Sequence, residues 1–280
     1  MFELYNWIWD RLIPIKEYSV IYGDSNAGVG LVCCSIAAHV TAGKSLPDSR
    51  SIDADTVLFV SDNMDEFYIR RCVANCGGND DNLVVMDRHN PRIYYLAADS
   101  LQLLRKTLTQ YRPKLVVIDS WELLMMHNPT EGKFIDTYDD FAVYKAMSKI
   151  VDIAREFNCS FLVTASLDVT VYNGETLYDE YGNRFRSVNG QVYGSAELVY
   201  RSRSAFAIVR DCETDPNSRT LVQTYYYITE STDSLQFQIQ NDAIVWKGHS
   251  PVTEDTLLIA WERGKTVRDV FDLEREQVGQ

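Results

Sequence analysis

The stretch "VIYGDSNAGVGLVCC", Val20 to Cys34, contains the turn on which the fold prediction depends. An apolar run typical of a β-strand ends at Tyr22, glycines follow at positions 23 and 28, and a helix-compatible segment begins at Val29. Strand, glycine turn and helix in this order form phosphate-binding loops, where backbone N–H groups at the helix N-terminus point at the anion. Ordinary strand-to-helix turns also contain glycine, so this stretch alone leaves both interpretations open.

The candidate loop keeps the glycine spacing of G-x-x-x-x-G-K-S/T but lacks its two reactive side chains. Its residues are Gly23, Asp24, Ser25, Asn26, Ala27, Gly28, Val29 and Gly30. In such loops the lysine neutralises phosphate charge and the following hydroxyl holds Mg²⁺. Val29 stands at the lysine position and carries no charge, and Gly30 stands at the hydroxyl position and offers no oxygen.

Neither neighbouring lysine is expected to replace the missing cation. Lys44 lies about 20 Å beyond Gly30 along the predicted helix, at 1.5 Å per residue. Lys16 precedes the strand and therefore belongs to the opposite end of the sheet. The loop is thus predicted to be a degenerate phosphate loop.

Short apolar runs alternate with longer helical segments up to Ala165, the pattern of a mostly parallel sheet covered by helices on both faces. Strands are predicted at 18–22, 56–61, 83–86, 114–119 and 160–165, and helices at 29–42, 65–76, 100–111 and 138–157. The N-terminal stretch 1–15 is predicted to form a short helix anchored by Trp7 and Trp9.

The second half of the chain has a different texture. Residues 171–190 are rich in Gly, Asn and Tyr and are predicted to form a β-hairpin or a mobile loop. Antiparallel strands are predicted at 204–211, 220–229, 234–240 and 242–248, and a helical tail is predicted to begin with an N-cap at Thr253. We therefore expect an α/β domain over 1–248 and a C-terminal helical extension over 249–280.

Composition narrows the function classes. The chain has 280 residues, 46% of them hydrophobic and 24% charged, which is typical of a globular protein with a sizeable core. No apolar run approaches the roughly 18 residues that span a bilayer. The formal net charge of −13 argues against a surface that binds nucleic acid all over, although one basic face remains compatible with it.

The six cysteines and four histidines show no metal-ligand spacing, so we expect reduced thiols and no metal site. The N-terminal stretch lacks a basic leader and a cleavage site, so we expect no signal peptide and a cytoplasmic location. Neither a membrane partner nor a tightly held cofactor is predicted.

Several segments in sequence order resemble the RecA-like ATPases of the RepA-type hexameric helicase group, also called AAA family ATPases. The segments are "YGDSNAGVG", "AAHVTAGKSLPD", "TVLFVSDNMDEFYIRRCVA", "PKLVVIDSWELLM", "YGSAELVYRSRSAFAIVRD" and "LQFQIQNDAIVWKG", within about residues 15 to 248. The resemblance implies a RecA-like P-loop fold, ATP with Mg²⁺ as the family's ligands, and assembly into oligomers of RecA-like subunits.

The resemblance also assigns positions to the family's catalytic groups. Its Walker B carboxylate falls on Asp119, which either retains that role or simply caps a loop. Its water-activating glutamate falls on Asn63, a poor base, and its polar sensor falls on Ala165 or Ser166. Loss of one such group typically costs about 10² to 10³ in rate, so loss of several should leave almost no ATP hydrolysis.

A basic segment between residues 184 and 210 is the main remaining candidate for binding. It contains Arg184, Arg186, Arg201, Arg203 and Arg210 against the single Glu197, a local charge of +4. These arginines could contact a nucleic-acid backbone, or Arg201 or Arg203 could act in trans on a neighbouring subunit's nucleotide. They could instead be a solvated group paired with Asp168, Asp179 and Glu180.

Three consecutive tyrosines, residues 225 to 227, belong to a predicted strand. Because successive side chains of a strand point to opposite faces, Tyr225 and Tyr227 should share a face and Tyr226 should lie on the other. Aromatic residues are common in ordinary strands, so we expect core packing here rather than a base-stacking platform.

The sequence therefore predicts a pseudo-ATPase, an oligomerising or partner-binding subunit of a DNA replication, mobile-element or phage-related complex. The alternatives are a subunit that still binds ATP with Mg²⁺ weakly, or a nucleic-acid binding module that uses the basic segment.

Overall fold

The structure of the protein is a computed structural model. It describes residues 6–23, 26–87, 89, 101–125, 136–167, 192–210, 217–227, 231–254 and 256–257.

Within these residues, one nine-stranded sheet forms the centre of the molecule, in the order β11-β10-β9-β8-β3-β7-β6-β4-β5. Its strands are β3 (Tyr18–Gly23), β4 (Val57–Ser61), β5 (Leu83–Asp87), β6 (Leu115–Asp119), β7 (Ser160–Ser166), β8 (Ser204–Arg210), β9 (Ser218–Tyr226), β10 (Ser234–Gln240) and β11 (Ala243–Ser250). The six strands from β8 to β5 run parallel, and β9, β10 and β11 continue from β8 in antiparallel pairs. This confirms the predicted mostly parallel sheet with antiparallel strands toward the C-terminus.

Helices pack on both faces of the sheet. They are α1 (Val29–Ala42), α2 (Glu66–Asn75), α3 (Gln102–Tyr111), α4 (Asp140–Phe157) and α5 (Glu197–Tyr200). One core cluster joins α3, α4 and α5 to one face through residues such as Tyr22, Ile118 and Met147. A second cluster joins α1 and α2 to the other face through residues such as Ile21 and Phe59. Alternation along the strands, as in Ile21 and Tyr22, supplies both cores.

The predicted N-terminal helix is wrong. Residues Trp7–Trp9 and Ile13–Pro14 form a two-stranded antiparallel hairpin, β1 and β2, with Arg11 in a left-handed turn conformation. Trp9 is buried, donates its indole N–H to the carbonyl of Pro47 at 2.8 Å, and packs edge-on against Trp246. These long-range contacts favour a hairpin over a local helix.

The C-terminal strands extend to Ser250, two residues beyond the predicted domain boundary at 248. Thr253 caps the helical turn that follows, because its hydroxyl accepts the backbone N–H of Thr256 at 3.2 Å. The segment 171–190 and the tail after 257 lie outside the described residues, so the extension over 249–280 stays a prediction. In the described part of the chain, no helix has the length and apolar character needed to cross a membrane.

Candidate nucleotide site at the carboxyl end of the sheet

The degenerate loop and the Walker B-like residue lie at the same end of the sheet. Because β3, β4, β6 and β7 are parallel, their last residues, Gly23, Ser61, Asp119 and Ser166, lie together at what we call the carboxyl end. The residues that precede these strands lie at the opposite, amino end. The carboxyl end of an open α/β sheet is where ligands of such folds bind.

The described part of the loop has the backbone of a strand-to-helix turn. Gly28 precedes α1 with a φ of 88°, a left-handed conformation that glycine adopts without strain. Its carbonyl accepts the first helical hydrogen bond, from the N–H of Val32 at 3.0 Å. Asp24 and Ser25 lie outside the described residues. The glycine spacing therefore forms the predicted turn at the N-terminus of a 14-residue helix.

Apolar side chains pack against the loop glycines. A Cβ added at Gly28 would meet Cδ1 of Ile239 at 2.6 Å, and one added at Gly30 would meet Cε of Met64 at 2.9 Å. Val29 packs against the core on the α1 face, with Cγ2 at 3.2 Å from the Cβ position of Gly23. The positions of the missing lysine and hydroxyl are thus adjacent to hydrocarbon and a thioether.

The two lysines are where the sequence predicted them. Lys44 lies beyond the far end of α1 and donates to the carbonyl of Gly77 at 2.7 Å. Lys16 donates its backbone N–H to the carbonyl of Cys159 at the amino end. Neither reaches the loop.

Arg219 of β9 is a cation beside the loop that the sequence did not predict. It is 8% exposed, donates to the carbonyl of Ser218 at 2.8 Å, and makes a long contact of 3.5 Å with the carbonyl of Asn26. It is directly opposite Arg210 of β8 in the antiparallel register. These contacts place its guanidinium against the loop backbone.

Asp119 is bound by side chains of the neighbouring strands. Ser61 Oγ donates to Asp119 Oδ2 at 2.7 Å, and Thr164 Oγ1 donates to Oδ1 at 2.6 Å. Asp119 is 6% exposed. The two short hydrogen bonds give a buried carboxylate two neutral donors, which is how a buried charged group is commonly stabilised.

Asn63 faces Asp119, as the register of β4 and β6 implies. Its amide nitrogen lies 3.4 Å from Asp119 Oδ1, and its backbone N–H donates to Ser61 Oγ at 3.2 Å. The residue that stands at the water-activating position is therefore next to the Walker B-like carboxylate. An amide there can donate and accept hydrogen bonds but cannot take a proton at neutral pH.

Two further acidic side chains lie close to Asp119. Burial raises the pKa of Asp62, and the hydrogen bond from the backbone N–H of Ser120, at 3.2 Å, opposes that effect. Burial also raises the pKa of Glu122, the Ser120 hydrogen bond opposes it, and the charges of Asp62 and Asp119 raise it further. Glu122 Oε2 is buried and has no hydrogen-bond partner among the described residues.

These carboxylates do not converge on one point. Across the described residues, no group of three or more His, Cys, Asp or Glu side chains is arranged to hold a metal ion.

Thr164 is the polar group at the end of β7 that contacts Asp119, whereas the sequence placed the family's sensor at Ala165 or Ser166. Ala165 is 5% exposed and Ser166 is exposed. Ile118 pairs with Val163 in the parallel register, which puts Thr164 next to Asp119. The register between non-consecutive strands, which the sequence does not contain, determines this contact.

Of the four candidate binding arginines, Arg184 and Arg186 lie outside the described residues. Arg201 forms an ion pair with Glu197 at 2.7 Å, and Arg203 forms one with Glu17 at 3.2 Å. Both precede β8, so they lie at the amino end, away from the chain's own loop. Their partners are therefore Glu197 and Glu17, whereas Asp168, Asp179 and Glu180 lie outside the described residues.

The three tyrosines of β9 correct the prediction of core packing. Tyr226 is 44% exposed and Tyr227 is 69% exposed. Tyr225 packs edge-on against Tyr200, and Tyr227 lies under the guanidinium of Arg203 at 5.0 Å.

Comparison with known proteins gives a family and a fold. Residues 2–167, more than half of the chain, match the model of a family described as AAA domain. The chain is similar to the RadB recombinase, with 15% identity and a TM-score of 0.53 over 82% of this chain and 90% of that one. It is also similar to the ATPase domain of a helicase, with 12% identity and a TM-score of 0.56 over 82% and 84% of the two chains. No curated protein matches the chain.

Proposed function

Because the chain belongs to the AAA domain family and has the fold of RecA-like P-loop ATPases of the replicative helicase type, we propose that it is a degenerate member of that group. In this proposal it does not hydrolyse ATP efficiently. It acts as an oligomerising or partner-binding subunit of a DNA replication, mobile-element or phage-related complex.

The loop is the single observation that carries this proposal. Phosphoryl transfer depends on positioning and on positive charge around the phosphates, because the protein itself contributes little covalent chemistry. Val29 and Gly30 supply neither the cation nor the metal-binding hydroxyl, so the loop does not fit ATP with Mg²⁺. A hydroxyl side chain at Gly30 would also require Met64 to move.

The second support comes from Asp119 and Asn63. Both Asp119 oxygens already accept short hydrogen bonds, from Ser61 and Thr164, and Asn63 replaces the base. A carboxylate that satisfies its neighbours' hydroxyls has a structural use that does not require a metal. The site thus retains the family's geometry while its polar groups bond to one another.

A partner role is supported by exposed aromatic side chains beside the N-terminus of α4. Tyr138, Phe141 and Tyr193 are 52%, 68% and 38% exposed, and the rings of Tyr138 and Tyr193 contact each other at 5.5 Å. Large aromatic residues are enriched where protein interfaces form. Domain retention without catalysis is consistent with a subunit whose surface is its function.

The test of assembly is light scattering of the purified full chain over a range of concentrations, with Phe141→Ala as the probe. Lys145→Ala, which removes only the cation that lies over the Phe141 ring at 5.3 Å, is the matched control. We expect an oligomer that Phe141→Ala weakens and Lys145→Ala affects little. A strict monomer at high concentration would contradict the oligomerising role.

A further inference from the structure

A cavity of about 370 Å³ opens at the amino end of the sheet, on the side away from the loop. It lies between α4, the residues that precede β3 and β8, and the end of β9. Pockets for small molecules usually measure about 300 to 1,000 Å³, so this cavity has room for one small ligand. Its distance from the loop is about the length of β3, roughly 20 Å for six residues.

Positive charge dominates the cavity wall. Arg155, Arg201 and Arg203 line it against Glu17 and Asp152, which gives three positive charges and two negative ones. Glu17 is the buried member, with its side chain 6% exposed, and it is held by Arg155 at 2.8 Å and Arg203 at 3.2 Å. Arg155 and Arg201 are 51% and 53% exposed. An incoming ligand therefore meets guanidinium groups before it meets Glu17.

Aromatic rings alternate with these arginines. Tyr144, Tyr200 and Tyr227 line the cavity and are 39%, 44% and 69% exposed. The guanidinium of Arg201 lies 4.5 Å from the centre of the Tyr144 ring. Interleaved arginines and exposed rings are the groups that bind phosphates and stack on bases.

We propose that this cavity binds a single nucleotide, with its phosphate at Arg201 and Arg203 and its base against Tyr227. A ligand that has only a carboxylate would leave the three rings exposed, whereas a nucleotide uses both kinds of group. The net charge of −13 disfavours a long polyanion more than a ligand with one or two charges. Neither assembly nor loss of ATP cleavage requires this site, so it extends beyond the proposed function.

Isothermal titration of the full chain with adenosine monophosphate, without Mg²⁺, tests this proposal. Tyr227→Ala should weaken binding about five- to 100-fold, the range found when a stacking ring is removed. Arg201→Ala should weaken binding about tenfold, since a charge-assisted hydrogen bond to phosphate is lost. Both side chains are largely exposed, so melting temperatures should stay near that of the wild type.

Two variants serve as controls. Tyr226→Ala removes an exposed tyrosine on the opposite face of the same strand and should leave binding unchanged. Val29→Asp places a negative charge in the loop and should also leave binding unchanged, because the loop is at the other end of β3. Adenosine alone and inorganic phosphate alone should each bind more weakly than the nucleotide.

Several results would overturn the proposal. These are the absence of binding by the wild type, an equal effect of Tyr226→Ala and Tyr227→Ala, and loss of binding in Val29→Asp, which would assign the nucleotide to the loop. A short thymidine oligonucleotide that binds much more tightly than the monophosphate, with the same response to Tyr227→Ala, would replace the single-nucleotide ligand with a strand.

Discussion

Two buried carboxylates, one at each end of the sheet, are stabilised in different ways. At the carboxyl end, Asp119 accepts hydrogen bonds from the hydroxyls of Ser61 and Thr164. At the amino end, Glu17 forms ion pairs with Arg155 and Arg203, which also line an open cavity.

The difference shows where polar capacity remains available. Neutral donors on adjacent strands satisfy Asp119 without any cation, and apolar side chains pack against the loop beside it. The arginines around Glu17 remain partly exposed and can contact a further anion. The end of the sheet that carries the family's catalytic positions is therefore bonded to itself, while the other end presents charge to solvent.

The largest expected effect is on the ion pairs of Glu17. Glu17→Ala leaves two guanidinium groups without their shared carboxylate, and breaking a buried pair in this way should lower the free energy of unfolding by about 3 kcal/mol. Glu197→Ala, which breaks the exposed pair with Arg201, should have a far smaller effect because solvent screens that pair. Urea denaturation of the two variants checks the difference, and similar losses would contradict it.

Asp119→Ala should cost about 2 kcal/mol, because the buried hydroxyls of Ser61 and Thr164 lose their acceptor. Asp119→Asn keeps one carbonyl oxygen as acceptor and should cost less. Thermal unfolding at neutral pH measures both. A more stable Asp119→Ala variant would indicate that the carboxylate serves a ligand at the expense of stability, which is the opposite of the structural role inferred from its hydrogen bonds.

The sequence predicted most of the fold because the signals are local. The strand at Tyr18, the glycine turn and the helix from Val29 follow from apolar runs and glycine positions, and the structure confirms them. The N-terminal hairpin was missed because Trp9 is held by Pro47 and Trp246, far away in the chain.

The site was predictable only in part for the same reason. Spacing along β4 and β6 was enough to place Asn63 beside Asp119. The contact of Thr164 with Asp119 and the pair of Glu17 with Arg203 depend on strand order and register between distant segments. Nothing in the local sequence of residues 17 or 203 indicates that they meet.

A pair of glycine variants sharpens the description of the loop. Gly28→Ala should cost about 1 to 2 kcal/mol, because alanine is strained at the left-handed φ of Gly28 and Ile239 must also shift. Gly30→Ala lies inside α1, where alanine is about 1 kcal/mol more favourable than glycine, and its new methyl group meets only the flexible end of Met64. Thermal unfolding should separate the two variants, and equal losses would contradict the described loop conformation.

The smallest expected effect concerns Glu122, whose pKa is raised by burial above the ordinary value of 4.5. Since its folded pKa lies above its unfolded value, the associated stability is present below the unfolded value and is lost as the pH rises through the folded one. Glu122→Gln should therefore raise the melting temperature at pH 7, and the gain should shrink as the pH falls toward 4.5. Glu66→Gln on the exposed side of α2 is the control. A gain that does not change with pH would rule out titration of Glu122 as its cause.

The most direct test of the proposed loss of catalysis is phosphate release by the purified full chain with ATP and Mg²⁺. A matched variant restores Lys at Val29, Thr at Gly30 and Glu at Asn63, with Met64→Ala to make room beside position 30. We predict that the wild type releases no phosphate above background, and that any activity is found only in the restored variant. Turnover by the wild type in the ordinary enzymatic range of about 1 to 10³ per second would contradict a degenerate site.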